Sequence, residues 1–297
     1  MPQISQRPTS LSWSHPDGRS FTLDLTRPRI MGIVNITPDS FSDGGLHYES
    51  NAAIEKARCH LLEGADILDL GAETTRPGSL PTPEAEEWRR LEPVLSSLVA
   101  SNSNAPISVD TYKASIAAKA IDAGAAIVND IYAGRKDPEI LSVAAEKGVP
   151  IILMHMQGEP RTMQLEPHYK DVVKEVRDFL LERALAAESA GVPKEHIILD
   201  PGLGFGKNTD HNLLLLRNLY EVYPTGYISL MALSRKAFLG KLLDGIPPLE
   251  RDYATATASA IAVFQGAQLV RVHNTAPTLE ALKVAWRISQ GTLHEWS

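Results

Sequence analysis

One unit, a short apolar run followed by a segment with helical periodicity, repeats from Arg29 almost to the C-terminus and restricts the possible folds more than any other feature. The runs are nearly continuous in Ile, Val and Leu, as in parallel strands that are buried on both faces. They predict eight strands: Ile30–Asn35, Ile67–Gly71, Ile107–Asp110, Ile127–Asp130, Ile151–His155, Ile197–Asp200, Tyr227–Leu233 and Leu269–His273. Eight such units favour an α/β fold of the closed (β/α)8 type, a TIM barrel, over the alternative of an open Rossmann-like sheet.

Helices are predicted between the strands at Asn51–Glu63, Pro83–Ala100, Ala114–Ala123, Pro138–Lys147, Lys170–Ala190, Asn212–Tyr223, Tyr253–Gln265 and Thr278–Gln290. Several of these segments are followed by a glycine, which commonly ends a helix. No linker or low-complexity segment interrupts the repeat, so we predict a single barrel domain over residues 29–297.

Residues 1–28 have a different pattern. Two short strand-like runs, Leu11–Trp13 and Ser20–Leu25, flank the turn sequence His15-Pro16-Asp17-Gly18. We predict an N-terminal β-hairpin extension that covers one end of the main fold.

Composition narrows the possible functions. The 297 residues include 29 Lys and Arg against 36 Asp and Glu, a net charge of −7, which argues against binding to nucleic acid or to an anionic membrane surface. The one cysteine, Cys59, fits a reducing compartment, and its place in a predicted helix indicates a core residue rather than a nucleophile. With no signal peptide or membrane span visible, we expect a soluble, cytoplasmic protein.

Polar side chains stand where the predicted strands end, which in a barrel is the mouth that carries the chemistry. They are Asn35, Asp69, Asp110, Asn129, Asp130, His155, Asp200, Ser234, Arg235, Lys236, Arg271 and His273. Any one of them could instead cap a helix, but the complete set indicates an active site.

Asp110, Asn129 and Asp200 offer acceptors and an amide donor suited to a flat heterocycle with several N–H groups. Cations nearby suit an anion such as a phosphate; they are Arg76, Lys236 and Arg271, with His273.

Two local motifs carry less information. The segment Gly202–Lys207 is glycine-rich, but it has neither the spacing nor the Ser or Thr of a Walker A loop. We interpret it as a tight rim that leaves Phe205 free to contact a ligand ring, and we expect Lys236 to matter more for activity than Lys207. Ser234 lacks the GxSxG context of a nucleophilic serine.

As a set, the motifs of this mouth resemble those of the dihydropteroate synthases. The first signature spans Gly32–Gly45 and the second spans Asp69–Gly78. Further matches follow in family order at Ser108–Thr111, Val128–Ile131, Leu153–Gly158, Leu199–Gly202, Gly204–Lys207, Ser234–Lys236 and Arg271–His273. Asn274 and Leu203 depart from the pattern, because many members have Asp after the Val-His pair and some have a second Phe.

The resemblance implies the barrel fold and a Mg2+-dependent transferase of folate biosynthesis, assembled as a homodimer. Such an enzyme joins 4-aminobenzoate to 7,8-dihydropterin-6-ylmethyl diphosphate and releases 7,8-dihydropteroate and pyrophosphate. Two rival hypotheses are a methyltetrahydrofolate-dependent methyltransferase and a non-catalytic pterin-binding relative. The presence of Arg76 and of the motif around Lys236 argues against both.

The same resemblance implies roles for particular residues. The pterin would contact Asp110, Asn129, Ile131, Met154, Asp200, Lys236 and Arg271. The diphosphate and 4-aminobenzoate would contact Asn35, Phe41, Thr75, Arg76, Pro77, Phe205, Ser234 and His273, and Mg2+ would bind Asn35. The chemistry would depend on Asp110, Asp200, Lys236, Arg271 and Asp43.

Two predicted connections, residues 37–48 and 74–83, are long for loops between a strand and a helix. They carry Phe41, Asp43 and Arg76. Ordering a long loop costs conformational entropy, which a bound diphosphate with Mg2+ could offset. We therefore expect 4-aminobenzoate to bind well only after pyrophosphate and Mg2+.

Overall fold

The computed structural model describes residues 7–36, 45–74, 80–101, 104–291 and 296. Its strands are β1 (Ser10–Ser14), β2 (Ser20–Asp24), β3 (Arg29–Asn35), β4 (Ile67–Gly71), β5 (Ile107–Asp110), β6 (Ile127–Asp130), β7 (Ile151–Met154), β8 (Ile197–Asp200), β9 (Ile228–Ala232) and β10 (Leu269–Val272).

The helices in these ranges are α1 (Gly45–Leu62), α2 (Glu84–Ala100), α3 (Ala114–Asp122), α4 (Glu139–Lys147), α5 (Val172–Ser189), α6 (Thr209–Arg217), α7 (Leu219–Val222), α8 (Ala237–Lys241), α9 (Asp252–Phe264) and α10 (Thr275–Gln290). Short 3-10 helices lie at Lys194–His196 and Pro248–Glu250. Among the described helices, none has the length and apolar character needed to cross a membrane.

Strands β3 to β10 form a closed barrel of parallel strands, in which β10 pairs with β3 to complete the ring. Every residue of β6, β7 and β8 is buried, because the barrel interior covers one face and the helices cover the other. The register places Asn35, Gly71, Asp110 and Asn129 side by side at the carboxyl ends of four successive strands. The predicted TIM barrel is therefore confirmed, and its mouth carries the predicted polar residues.

The N-terminal hairpin lies at the opposite end of the barrel. Strands β1 and β2 pair antiparallel, and Trp13 stacks on Phe21 with ring centroids 5.1 Å apart on their buried face. The His15 Nε2 atom lies 3.0 Å from the carbonyl oxygen of Ala125, which precedes β6. The hairpin thus covers the amino ends of the strands and leaves the mouth open. A division into domains at residues 1–28 and 29–297 stays a prediction.

Several helices differ from the predictions: α1 begins six residues and α10 three residues before the predicted start, and α8 was not predicted. The segment predicted as one helix over Asn212–Tyr223 forms α6 and α7, which are separated at Asn218. Helix α6 begins three residues before the predicted start, because the Asn208 side chain accepts a hydrogen bond from the His211 backbone N–H in a capping box. The start of α6 is thus set by a capping residue, which an analysis of hydrophobic periodicity does not detect.

The interpretation of Cys59 as a core residue is wrong, because this side chain is exposed. The buried side of α1 is formed by Ala53, Ala57 and His60, which are spaced four and three residues apart. Cys59 precedes His60 by one position and therefore lies on the outer side of the helix.

Candidate active site

A buried ionic network links four strands at the mouth of the barrel. From β10, Arg271 donates through Nε to Asp69 Oδ2 over 2.6 Å and through Nη2 to Asp110 Oδ2 over 2.7 Å. The Asn129 Nδ2 atom donates to the same oxygen of Asp69 over 3.1 Å. The network brings together three predicted site residues, Asp110, Asn129 and Arg271.

The charges in this network perturb one another. Burial raises the pKa of Asp110 to about 7, although the positive charge of Arg271 acts to lower it. Burial also acts to lower the pKa of Arg271, but the carboxylates of Asp69 and Asp110 outweigh that effect and raise it. The guanidinium therefore stays charged and is held in one orientation at the mouth.

Asp69 is a member of the site to which the sequence analysis, although it named this residue among the polar residues of the mouth, assigned no role. Its side chain is fully buried, and its Oδ1 atom has no hydrogen-bond partner among the described residues. A carboxylate inside an otherwise apolar strand requires a cationic partner, and this was the signal that could have identified it. The partner, Arg271, lies 202 positions away along the chain.

A second group of predicted residues lies around Asp200 at the end of β8. Its Oδ1 atom accepts a hydrogen bond from the Gly202 backbone N–H over 2.7 Å. Burial raises the pKa of Asp200, while the Gly202 N–H and the charge of Lys236 act to lower it. Burial lowers the pKa of Lys236 to about 8. The Lys236 Nζ atom lies 4.0 Å from the centroid of the Phe205 ring.

Apolar side chains form a separate small cluster on the same side of the mouth. Ile131 and Met154, both predicted pterin contacts, are buried against Met156 and Met163, and Phe205 packs against them. Met156 and Met163 were not predicted as members of the site. Met154 also stands beside Asp200 in the register of β7 and β8. The cluster therefore offers an apolar surface next to the acidic group of Asp200.

Ser234 and His273 are joined by two contacts, both through the serine hydroxyl oxygen. The backbone N–H of His273 donates to Ser234 Oγ over 3.0 Å, and the same oxygen lies 2.9 Å from His273 Nδ1. Burial, together with Arg271 and other nearby cations, lowers the pKa of His273 to about 3. The imidazole is thus neutral, and its Nδ1 atom is joined to the serine hydroxyl by a hydrogen bond.

Arg235, between Ser234 and Lys236, has a left-handed backbone with φ of 58°. Its guanidinium contacts both carboxylate oxygens of Asp252, over 2.7 and 2.9 Å. Asn274, one of the two departures from the family pattern, donates to the same carboxylate over 2.9 Å. A non-glycine residue in this region is strained by about 1–3 kcal/mol, so the contacts hold a turn that the backbone alone disfavours.

Asn35 ends β3 with an exposed side chain. A Cβ atom placed on Gly71 would lie 3.7 Å from Asp110 Oδ2 and 3.9 Å from Asn35 Oδ1, so both oxygens border the small gap above that glycine. Within the described ranges, no group of three or more His, Cys, Asp or Glu side chains could hold a metal ion.

Five predicted site residues lie outside the described residues: Phe41, Asp43, Thr75, Arg76 and Pro77. The described ends of the second long loop are joined to each other. The Lys113 Nζ atom contacts Glu73 Oε2 over 2.6 Å and the Thr82 carbonyl oxygen over 2.6 Å. The same Glu73 oxygen accepts the Thr82 backbone N–H over 3.1 Å. An ion pair therefore closes the base of this loop.

Two other polar residues at strand ends do not face the network. Asp130 accepts hydrogen bonds from the backbone N–H groups of Tyr132 and Gly134, as a turn residue does. His155 contacts the buried Lys207 behind the glycine-rich loop.

Comparison with known proteins agrees with this geometry. The family model "Pterin binding enzyme" matches residues 31–273. The dihydropteroate synthase of Escherichia coli K12 is 43% identical over 263 residues, which cover 89% of this chain and 92% of that protein.

Two solved structures of the Xanthomonas albilineans dihydropteroate synthase are also similar. One contains 4-aminobenzoic acid; it has a TM-score of 0.84 and 45% identity and covers 91% of this chain and 96% of its own. The other contains 7,8-dihydropteroate, with a TM-score of 0.81, 44% identity and coverage of 91% and 97%. The chain belongs to the dihydropteroate synthase family of pterin-binding enzymes.

Proposed function

We propose that the chain condenses 4-aminobenzoate with 7,8-dihydropterin-6-ylmethyl diphosphate, giving 7,8-dihydropteroate and pyrophosphate. The observation that carries this proposal is the network of Arg271 with Asp69 and Asp110 beside Asn129. It supplies a fixed planar cation and oriented acceptors at the mouth of a barrel, as recognition of a flat heterocycle requires. The activities that name the relatives support the same reaction.

The pterin would bind between the two acidic groups. Asp200 would accept N–H groups of the ring, while Asn129 and Lys236 would donate to its acceptors. Arg271 would stack on one face, with its guanidinium held in place through Nε by Asp69 and through Nη2 by Asp110. Ile131 and Met154 would pack on the ring from the apolar cluster.

The diphosphate would bind near Ser234 and His273. The neutral imidazole would donate from Nε2 to a phosphate oxygen in the tautomer in which Nδ1 accepts the Ser234 hydroxyl proton. Lys236 adds a positive charge nearby, and the sequence predicts further contacts from Thr75 and Arg76. Phe205, together with Phe41 and Pro77, would border the 4-aminobenzoate ring.

A Mg2+ ion would fit this donor set. Mg2+ bound through substrate phosphates uses few protein ligands and prefers oxygen, and the exposed Asn35 side chain offers an amide oxygen at the mouth. When bound, the ion would neutralise charge on the diphosphate.

The reaction would begin with cleavage of the bond between the pterin methyl carbon and the diphosphate oxygen, which retains the electron pair. The methyl carbon becomes electron-deficient, and the pterin ring and the nearby carboxylate of Asp200 would stabilise it. The amine nitrogen of 4-aminobenzoate then forms the new C–N bond and loses a proton. An arylamine is a weak nucleophile, so holding it against this carbon supplies much of the rate enhancement.

We also propose a homodimer in the cytoplasm. Helices α9 and α10 expose the apolar side chains Tyr253, Ile261, Phe264, Val284 and Ile288, and large apolar side chains exposed together on neighbouring helices commonly mark a protein contact. The single cysteine, Cys59, is consistent with a reducing compartment. Sedimentation would test the dimer, and Ile288→Glu should shift it toward the monomer.

Pyrophosphate release tests the reaction. The purified protein, with Mg2+ and the pterin diphosphate, should release pyrophosphate at a rate that depends on 4-aminobenzoate and should form 7,8-dihydropteroate in equal amount. Methyl transfer from methyltetrahydrofolate, or pterin binding without any release, would indicate one of the rival functions instead.

A further inference from the structure

The side chain of Lys207 is enclosed within the protein, although it ends the glycine-rich loop of residues 202–207. Only 2% of it is exposed. Its Nζ atom donates to the carbonyl oxygens of Gly202 and Phe205, each over 3.0 Å, and lies 2.8 Å from His155 Nδ1. The lysine therefore points inward beneath the loop and is not placed to contact a phosphate at the mouth.

The loop also lies directly against the segment that follows β7. A Cβ atom on Gly202 would lie 1.9 Å from the His155 carbonyl oxygen, and one on Gly206 would lie 2.3 Å from the Gln157 carbonyl oxygen. Both glycines have φ of 61°, which other residues rarely adopt. The hydroxyl of Tyr169 donates to the Gly206 carbonyl oxygen over 2.8 Å.

The two carbonyl partners of Lys207 belong to the residues that meet the site. Gly202 donates its N–H to Asp200, and Phe205 places its ring 4.0 Å from Lys236 Nζ. A shift of the loop would therefore disturb both an acceptor and a cation of the proposed pterin site.

The three acceptors around the Lys207 Nζ atom favour an ammonium group at this position by their geometry. Burial lowers the pKa of Lys207 well below its ordinary value, and the negative charge of Asp200 acts to raise it. Burial, together with the charge of Lys207, lowers the pKa of His155 to about 2, so this imidazole is neutral and can accept at Nδ1. The three partners, His155 Nδ1 and two carbonyl oxygens, then match the three N–H donors of the ammonium.

We propose that Lys207 is a positioning residue, whose buried hydrogen bonds hold the loop so that Phe205 and Lys236 have the geometry needed for binding 4-aminobenzoate and the pterin. The expected changes in KM and kcat rest on the proposed function. The effect on the loop itself can be measured by hydrogen exchange, which requires no turnover.

The first variant is Lys207→Met, which keeps the length of the side chain and removes all three donors. We expect KM for the aminobenzoate substrate to rise about tenfold while kcat changes less than about threefold, because displaced binding groups weaken capture of the substrate. Amide hydrogen exchange should accelerate in peptides that cover residues 201–207. The matched control is Lys174→Met, an exposed lysine on α5, which should change neither quantity.

A second pair of variants keeps the test decisive where Lys207→Met does not fold. His155→Asn leaves an amide oxygen near the position of Nδ1, whereas His155→Leu leaves no acceptor. We expect faster exchange of the loop and a raised KM in His155→Leu, and a much smaller change in His155→Asn. The double variant of Lys207→Met with His155→Leu should lose little more than either single change.

Unchanged exchange at residues 201–207 in Lys207→Met, or equal effects of His155→Leu and His155→Asn, would overturn the positioning role. A fall in kcat with no change in KM for either substrate would overturn it as well, since it would indicate a role in the chemical step. If Lys207→Met accelerates exchange of the loop relative to wild type but the wild-type protein forms no dihydropteroate, the proposed function alone is refuted.

Discussion

Arg271 and Asp69 form an ion pair inside the barrel, with 2.6 Å between Nε and Oδ2, and the Asp69 side chain has no exposed surface. Asp110 holds the same guanidinium from a second strand. The cation is thus oriented before any ligand arrives, so binding does not have to order it. The stacking role proposed for Arg271 depends on this arrangement.

Asp69→Asn tests the importance of that ion pair. The amide keeps the shape but removes the charge that orients Arg271, so we expect pterin affinity to fall by about 1.5–3 kcal/mol, the range for a charge-assisted hydrogen bond. Calorimetric titration with 6-hydroxymethyl-7,8-dihydropterin measures the change. Asp122→Asn, an exposed carboxylate in α3, is the control. Equal pterin affinity in Asp69→Asn and Asp122→Asn would mean that Arg271 does not depend on the Asp69 charge for its orientation.

The pH dependence of pterin binding should be bell-shaped. Asp110 accepts hydrogen bonds best as a carboxylate, and its pKa is raised to about 7, so affinity should increase as the pH rises through that value. Lys236 must keep its proton, and its pKa is lowered to about 8, so affinity should decrease above that value.

Variants assign the two limbs of this profile. Asp110→Asn should reduce the acidic limb, to which Asp200 also contributes because burial raises its pKa, and Lys236→Gln should remove the basic limb. The pterin used carries no diphosphate, so phosphate ionisation does not contribute. The range from about pH 6 to about pH 9 brackets the two pKa values. Pterin affinity that stays constant over this range would show that neither group titrates in the binding step.

Much of the architecture could be predicted from the sequence because it depends on period and composition. Buried parallel strands leave continuous apolar runs, so Ile127–Asp130 and Ile197–Asp200 were predicted with the bounds that the structure has. Since the barrel brings all carboxyl ends to one mouth, placing Asp110 near Arg271 required only the fold.

Other features depend on directions and caps that a single sequence does not specify. Nothing local distinguishes Lys207, which points inward, from a lysine that reaches a ligand. The outward position of Cys59 follows from a one-residue offset against His60. Asp69 was visible at a strand end, but its role follows from a partner on β10, which only the closed barrel brings near.

Asp252→Asn should disturb the turn between β9 and α8. Arg235 would lose a two-point contact with a charged carboxylate, and its left-handed backbone would be held less firmly. We expect the free energy of unfolding to fall by about 1–2 kcal/mol, with a lower kcat/KM because Ser234 and Lys236 flank the turn. Denaturant unfolding and steady-state kinetics measure the two effects. Asp210→Asn serves as the control, and stability equal to that control would argue against the clamp.

The order of ligand binding remains a prediction from the sequence alone, because it concerns loops that lie mostly outside the described residues. We expect 4-aminobenzoate to bind weakly to the free protein and much more tightly once pyrophosphate and Mg2+ are bound. Calorimetric titrations with and without Mg-pyrophosphate compare the two affinities. Equal affinity would mean that the pocket exists before the anion binds.

The affinity of Asp200→Asn for a pterin tests the proposed site most directly. If the Asp200 carboxylate accepts ring N–H groups, the amide places a donor against a donor and leaves buried polar groups unpaired. We expect calorimetric titration with 6-hydroxymethyl-7,8-dihydropterin to show a loss of about 2–4 kcal/mol relative to wild type, with a normal unfolding transition. Affinity equal to that of wild type would show that Asp200 does not hold the pterin.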